Sequence, residues 1–182
     1  MYLHDFQLAN QFRNELNLES YEFSLDTKRY LTDKRINGLR QCLQEGGFGS
    51  LSPEQVSGGC LAVNSRFQSI IEAFLKCKTF YTIGYVKEPQ RVYWKHTPKD
   101  LKEWSDTGIE NFNEINIHTW LTLPSLEIID LTIGTTFALE FNDEDFLGML
   151  LMGHPSEIIN YSYHPTILGE DVLKAMGAKI EL

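Results

Sequence analysis

Apolar residues in the first part of the chain recur at helical steps. Phe6, Ala9, Phe12 and Leu16 predict a short first helix. Ile36, Leu39, Cys42 and Leu43 share one face of a second, which Thr32 can cap and Gly46-Gly47 can end through a left-handed turn. The stretch from Gly46 to Pro53 reads as a loop. After Ser57-Gly58-Gly59-Cys60, the residues Leu61, Val63, Phe67, Ile70, Ile71, Phe74 and Leu75 recur at three and four and predict a core-facing helix over about 60–77. Its first turn holds Cys60.

The pattern then changes period. Thr79 to Val86 is aromatic and β-branched and predicts a strand. Residues 87–113 are polar and carry Pro89, Pro98 and Gly108, so they read as a long irregular connection. From Ile115 to Leu123 the alternation is strict: Ile115, Ile117, Thr119, Leu121 and Leu123 share one face, and Asn116, His118, Trp120 and Thr122 the other. Pro124-Ser125 marks a turn, and Leu126 to Thr132 returns as the partner strand. Phe137 to Phe141 suggests a further strand, and Asn142 a cap for a helix running to Leu151. Gly153-His154-Pro155 breaks that helix, and a last one is expected near Gly169 to Met176. Helices followed by an antiparallel strand run give an α+β fold. One domain over 1–182 is expected, with a helical part at 1–50, a core at about 57–135, and a C-terminal strand and helices at 136–182.

Composition narrows the classes. With 182 residues, 42% hydrophobic and 23% charged, the chain can bury a core without staples. Lys and Arg total 16 against 25 Asp and Glu, a net charge of −9. That balance argues against nucleic acid, which needs a basic stripe, and against an anionic membrane surface. Three cysteines without a CxxC pair exclude a disulfide framework and a four-cysteine zinc site. The N-terminus lacks the basic start and apolar run of a Sec signal, and no apolar stretch approaches the ~20 residues of a membrane span. A cytoplasmic location is the simplest expectation, with export by another kind of signal left open. No cofactor is expected.

The candidate chemistry is a thiol with a base and an orienting carboxylate. A cysteine at a helix N-terminus meets free amide groups and the positive end of the dipole, which favour thiolate. Cys42 and Cys77 sit within or at the end of helical patterns and read as packing residues. His118 and Asp130 fall on neighbouring strands; an odd-length loop centred on Pro124 would set them opposite each other on one face, whereas a two-residue loop would separate them. On the same face, the carboxylate can orient the imidazole and stabilise its charged form.

Three short pieces then share an order: Gly58-Gly59-Cys60 opening an apolar helix, His118-Thr119-Trp120-Leu121, and Ile129-Asp130-Leu131-Thr132. This order resembles the transglutaminase-like superfamily of papain-type thiol enzymes, with Leu61 after the cysteine where members often carry Trp or Tyr. The resemblance implies a papain-like core and a Cys60, His118, Asp130 triad. It further implies an acyl-enzyme formed on a protein or peptide amide and released to water (peptidase, deamidase) or to an amine (transglutaminase). Gln55, Gly59 and Trp120 are candidates for substrate contact, Gln55 as a second oxyanion donor. The competing expectation is a catalytically silent domain on the same fold that binds a protein partner through its acidic surface. His96 could approach the cleft, and Tyr85, Tyr93, Trp94 and Trp104 could line it. Asp143-Glu144-Asp145 could hold a metal but fits an acidic first helical turn better. His154 and His164, each before a proline, read as loop residues.

Overall fold

The computed structural model describes residues 1–112 and 114–178. Its N-terminal helix α1, Tyr2–Phe12, runs on into a 3-10 turn that buries Leu16. In α2, Asp33–Glu45, the Thr32 side chain accepts from the Arg35 amide, and Gly47 takes a φ of +94° just past the end. A short helix α3, Pro53–Ser57, comes before α4, Cys60–Leu75, whose Val63, Phe67, Ile71 and Leu75 form one buried stripe. Leu39 and Leu43 of α2 pack on that stripe. Each step of four residues repeats the same helix face, so the sequence periodicity becomes the packing surface directly.

The sheet is antiparallel and centred on β1, Phe80–Lys87. Along one edge it pairs with β3, His118–Thr122, so that Tyr81 faces Leu121 and Gly84 faces His118. The short β2, Val92–Tyr93, pairs with the far end of β1. Beyond β3 lie β4, Ile128–Asp130, and β5, Leu151–Gly153. The other edge of β1 carries β6, Ser162–Leu168, with a bulge between Ile83 and Gly84. One apolar cluster joins the sheet to α2, α4 and to α5, Pro98–Thr107; a second joins it to α1 and α6, Ile133–Phe141. A final helix α7, Asp171–Ala175, packs Val172 and Leu173 into the first cluster. The architecture is α+β. Among the described residues no helix is long and apolar enough to cross a membrane.

Several expected elements differ. Phe137 to Phe141 is the second half of α6, not a strand, and Asn142 ends that helix in a left-handed conformation (φ 52°) rather than starting another. The helix expected through Leu151 is a 3-10 turn at Glu144–Phe146 followed by β5. The connection expected to be irregular over 87–113 holds β2 and α5. The loop expected over Gly46 to Pro53 holds a 3-10 turn at Phe48–Ser50, and the stretch after it, up to Cys60, holds α3. Both of these helices open on a proline and a capping box, Ser52 with Gln55 and Thr97 with Asp100. Such boxes satisfy free amides at the helix start and are legible in sequence. The last strand, β6, was unexpected, and His164 lies on it instead of in a loop.

Candidate active site

Cys60 stands at the head of α4 because Gly59, its N-cap, lets α3 and α4 meet closely. A Cβ on Gly59 would lie 2.1 Å from the Gln55 carbonyl oxygen. The glycine thus serves the turn between two helices. The cysteine backbone is tied to β3: its carbonyl accepts from Thr119 Oγ1 at 2.7 Å and from Asn64 Nδ2 at 2.9 Å. Its sulfur lies 4.0 Å from the Ile117 carbonyl oxygen. The thiol is therefore held beside the start of β3, where His118 begins the strand.

His118 and Asp130 share a face, through a register shifted from the expected one. Leu121 pairs with Ile129 and Thr122 with Ile128, so the turn is odd but centred on Ser125, not Pro124. Asp130 falls across from Trp120, one diagonal step from His118. Diagonal neighbours on one face remain within reach of long side chains, and His118 Nε2 meets Asp130 Oδ2 at 2.6 Å. This leaves Nδ1 as the ring nitrogen that can meet sulfur. Asp130 is fully satisfied. Oδ1 accepts from the Thr132 amide (3.0 Å), the Thr132 hydroxyl (3.2 Å) and the Ile133 amide (3.1 Å) as the chain turns into α6. Oδ2 accepts a second bond from the Tyr163 hydroxyl at 3.0 Å.

Burial sets the electrostatics. Removal from water opposes the charged form of His118, but the Asp130 charge and hydrogen bond outweigh it, the Cys60 thiol adds to them, and the pKa is pushed up to about 10. Burial would raise the Asp130 carboxyl, yet His118 and the Thr132 and Ile133 amides hold it below the ordinary carboxylate value. The arrangement favours an imidazolium and carboxylate pair beside a thiol. Trp94 lies flat over the imidazole, with ring centroids 4.2 Å apart and planes 16° from parallel, and is itself at a φ of +56°. A bulky side chain in that conformation is strained and persists only where its surroundings hold it. Here the Trp94 carbonyl bonds to His96 Nδ1, and Phe137 stacks behind the indole.

The other candidates sort by place. Trp94, one of the aromatics expected to line a groove, covers the His118 ring. Trp120 does not line a groove: it is fully buried, and its Nε1 donates to the Tyr2 hydroxyl at 2.8 Å. Gln55 accepts from the Ser52 amide through its side-chain oxygen and so closes the capping box of α3. His96 is buried and bonds to the Asn116 carbonyl and to Thr166 Oγ1. Together with Tyr85 it borders a cavity of about 810 Å³ between α1 and β6 that Cys60, His118 and Asp130 do not line. Trp104 packs on Phe112 and Tyr93 on Phe137. Asp143 accepts from the Asp145 amide and caps the 3-10 turn. His164 bonds to Asp5 (3.0 Å) and Ser162 (3.0 Å), and His154 to Ser156. Sequence reasoning missed Tyr163, which had no signal of its own; only the pairing of β6 with β1 brings it to Asp130. No family model, curated protein or solved structure matches the chain.

Proposed function

We propose that the chain is a thiol-dependent amide hydrolase or acyl transferase, on a core of the papain and transglutaminase type. The observation that carries this reading is an imidazole gripped by a buried carboxylate on one side and set beside a cysteine at a helix start on the other. In the reaction, Cys60 attacks the amide carbonyl as a thiolate paired with the His118 imidazolium. The Cys60 amide, free at the first turn of α4, donates to the developing oxyanion. His118 then gives the proton to the departing amine, leaving a thioester on Cys60. Water or a second amine then attacks that thioester as the now neutral His118 takes its proton, which restores the thiolate and imidazolium. The first product is an amine, the second an acid or a new amide.

A second reading has one observation in its favour. His118 is only 1% exposed and roofed by Trp94, which fits a domain that binds a protein partner without chemistry. Alkylation with iodoacetamide, resolved by peptide mass spectrometry, separates the two. For the enzyme, Cys60 should react at least roughly tenfold faster than Cys42 or Cys77 at neutral pH. His118→Ala should remove the advantage, and Asp130→Asn should reduce it less. A panel of electrophilic amide mimics should then label Cys60 alone. Equal rates at the three thiols, unaffected by His118→Ala, leave the binding domain as the reading.

A further inference from the structure

Asp130 Oδ2 carries two donors, and the mechanism above uses one. His118 Nε2 approaches at 2.6 Å and the Tyr163 hydroxyl at 3.0 Å, all three side chains being buried. Tyr163 is fixed from behind. Its ring meets Trp120 edge-on at 5.0 Å; the Trp120 indole donates to the Tyr2 hydroxyl, which in turn bonds to Thr122 Oγ1 at 2.6 Å. The phenol therefore has a set position, and it reaches Asp130 from β6, on the far side of β1 from the strands that carry His118 and Asp130. A phenol that only filled space here would leave its hydroxyl without need of a carboxylate. This one shares the oxygen that His118 depends on.

We propose that Tyr163 is a positioning residue of the site: its hydroxyl locks the rotation of the Asp130 carboxylate and takes up part of its charge, so that it sets the pH range over which His118 keeps its proton. A donor on a carboxylate disperses its negative charge and weakens its pull on a second donor. Tyr163 is a donor at every working pH, because burial and the neighbouring carboxylate raise its own pKa well above the ordinary value. The titratable groups that meet here are Cys60 from α4, His118 from β3, Asp130 from β4 and Tyr163 from β6, with Tyr2 of α1 and Tyr161 behind the phenol. The consequence for Cys60 rests on the thiol-enzyme reading; the effect on His118 does not.

The test is the titration of His118, followed by nuclear magnetic resonance on ring-labelled histidine in the full chain. Tyr163→Phe should raise the His118 midpoint by about 0.5–1 pH unit, the part transmitted through Asp130 of a charge-assisted hydrogen bond. Replacing Tyr163 by 3-fluorotyrosine keeps the ring and the hydroxyl but makes it a stronger donor, and should move the midpoint down. In an Asp130→Asn background, Tyr163→Phe should move it no further. A midpoint unmoved by either change, or a shift that survives intact in Asp130→Asn, overturns the proposal. If Tyr163→Phe does not fold, the fluorotyrosine protein decides by the direction of its shift. The rate at Cys60 is read in parallel. Should His118→Ala leave that rate unchanged in the parent protein, the thiol-enzyme reading fails while the titration result stands by itself.

Discussion

Cys60, Cys42 and Cys77 are all partly buried and free, so exposure alone does not rank their reactivity. What differs is the company each keeps. Cys77 is pushed up to about 11 by burial, with Glu72 adding to the effect, and it faces no histidine. It should stay protonated and alkylate slowest of the three at neutral pH, which the per-peptide rates check directly. Trp94 gives a second test at this scale. Trp94→Gly relieves a left-handed backbone but uncovers the imidazole it stacks on. Water reaching the ring weakens the Asp130 interaction, so the His118 midpoint should fall toward its ordinary 6.5 even if the protein gains roughly 1 kcal/mol from the lost strain. The same titration used for Tyr163 reads it.

The elements explain what sequence could and could not reveal. His118 and Asp130 were legible because strict alternation fixes faces, and face parity survived a turn centred one residue later than expected. α6 was misread because Phe137, Leu139 and Phe141 alternate within a short apolar run, and a short run does not distinguish a buried helix from a strand. Its true signal was local: Asp130 and Thr132 turn the chain just before Ile133. β6 stayed hidden because Ser162 to Thr166 is polar and aromatic and contains Pro165. A proline inside a strand demotes it in any reading, yet an edge strand tolerates it at a bulge. That bulge faces Gly84, where a Cβ would lie 2.2 Å from the His164 carbonyl oxygen and 2.6 Å from the Trp120 ring. Gly84→Ala should therefore prise β6 from β1 and cost on the order of 2–4 kcal/mol, measured by urea unfolding. It should also slow Cys60 alkylation, since Tyr163 moves with the strand.

At the scale of the whole molecule, the buried pair makes stability depend on pH. His118 binds its proton more tightly folded than unfolded, so its contribution is complete below about 6.5 and is lost as pH rises toward about 10. Asp130 is lowered instead, so its contribution is complete above about 3.8 and is lost as pH falls below that. The pair should thus support the fold best between about pH 4 and 6.5. Comparison with His118→Gln isolates it: the parent should lose ground to the variant by at most about 1.4 kcal/mol per pH unit above 6.5. A difference curve that is flat from pH 6.5 to 9 would contradict the shift.

The pairing of β6 with β1 also dictates an order of assembly. A ribosome releases the chain from its N-terminus, so α4, β1 and the β3–β4 hairpin are available for folding before β6 exists. Tyr163 trails Asp130 by 33 positions, a lag of roughly a few seconds at 5–20 residues per second. Until then β1 has a bare edge able to pair with a stranger. Of these elements helix α1 waits longest: made before the others, it bonds Asp5 to His164 and packs Phe6 beside Leu168, on the strand made after them. The nascent protein thus passes through a stage with its thiol present, its first helix undocked and one sheet edge open. That is the stage at which a chaperone would hold it and at which aggregation would begin.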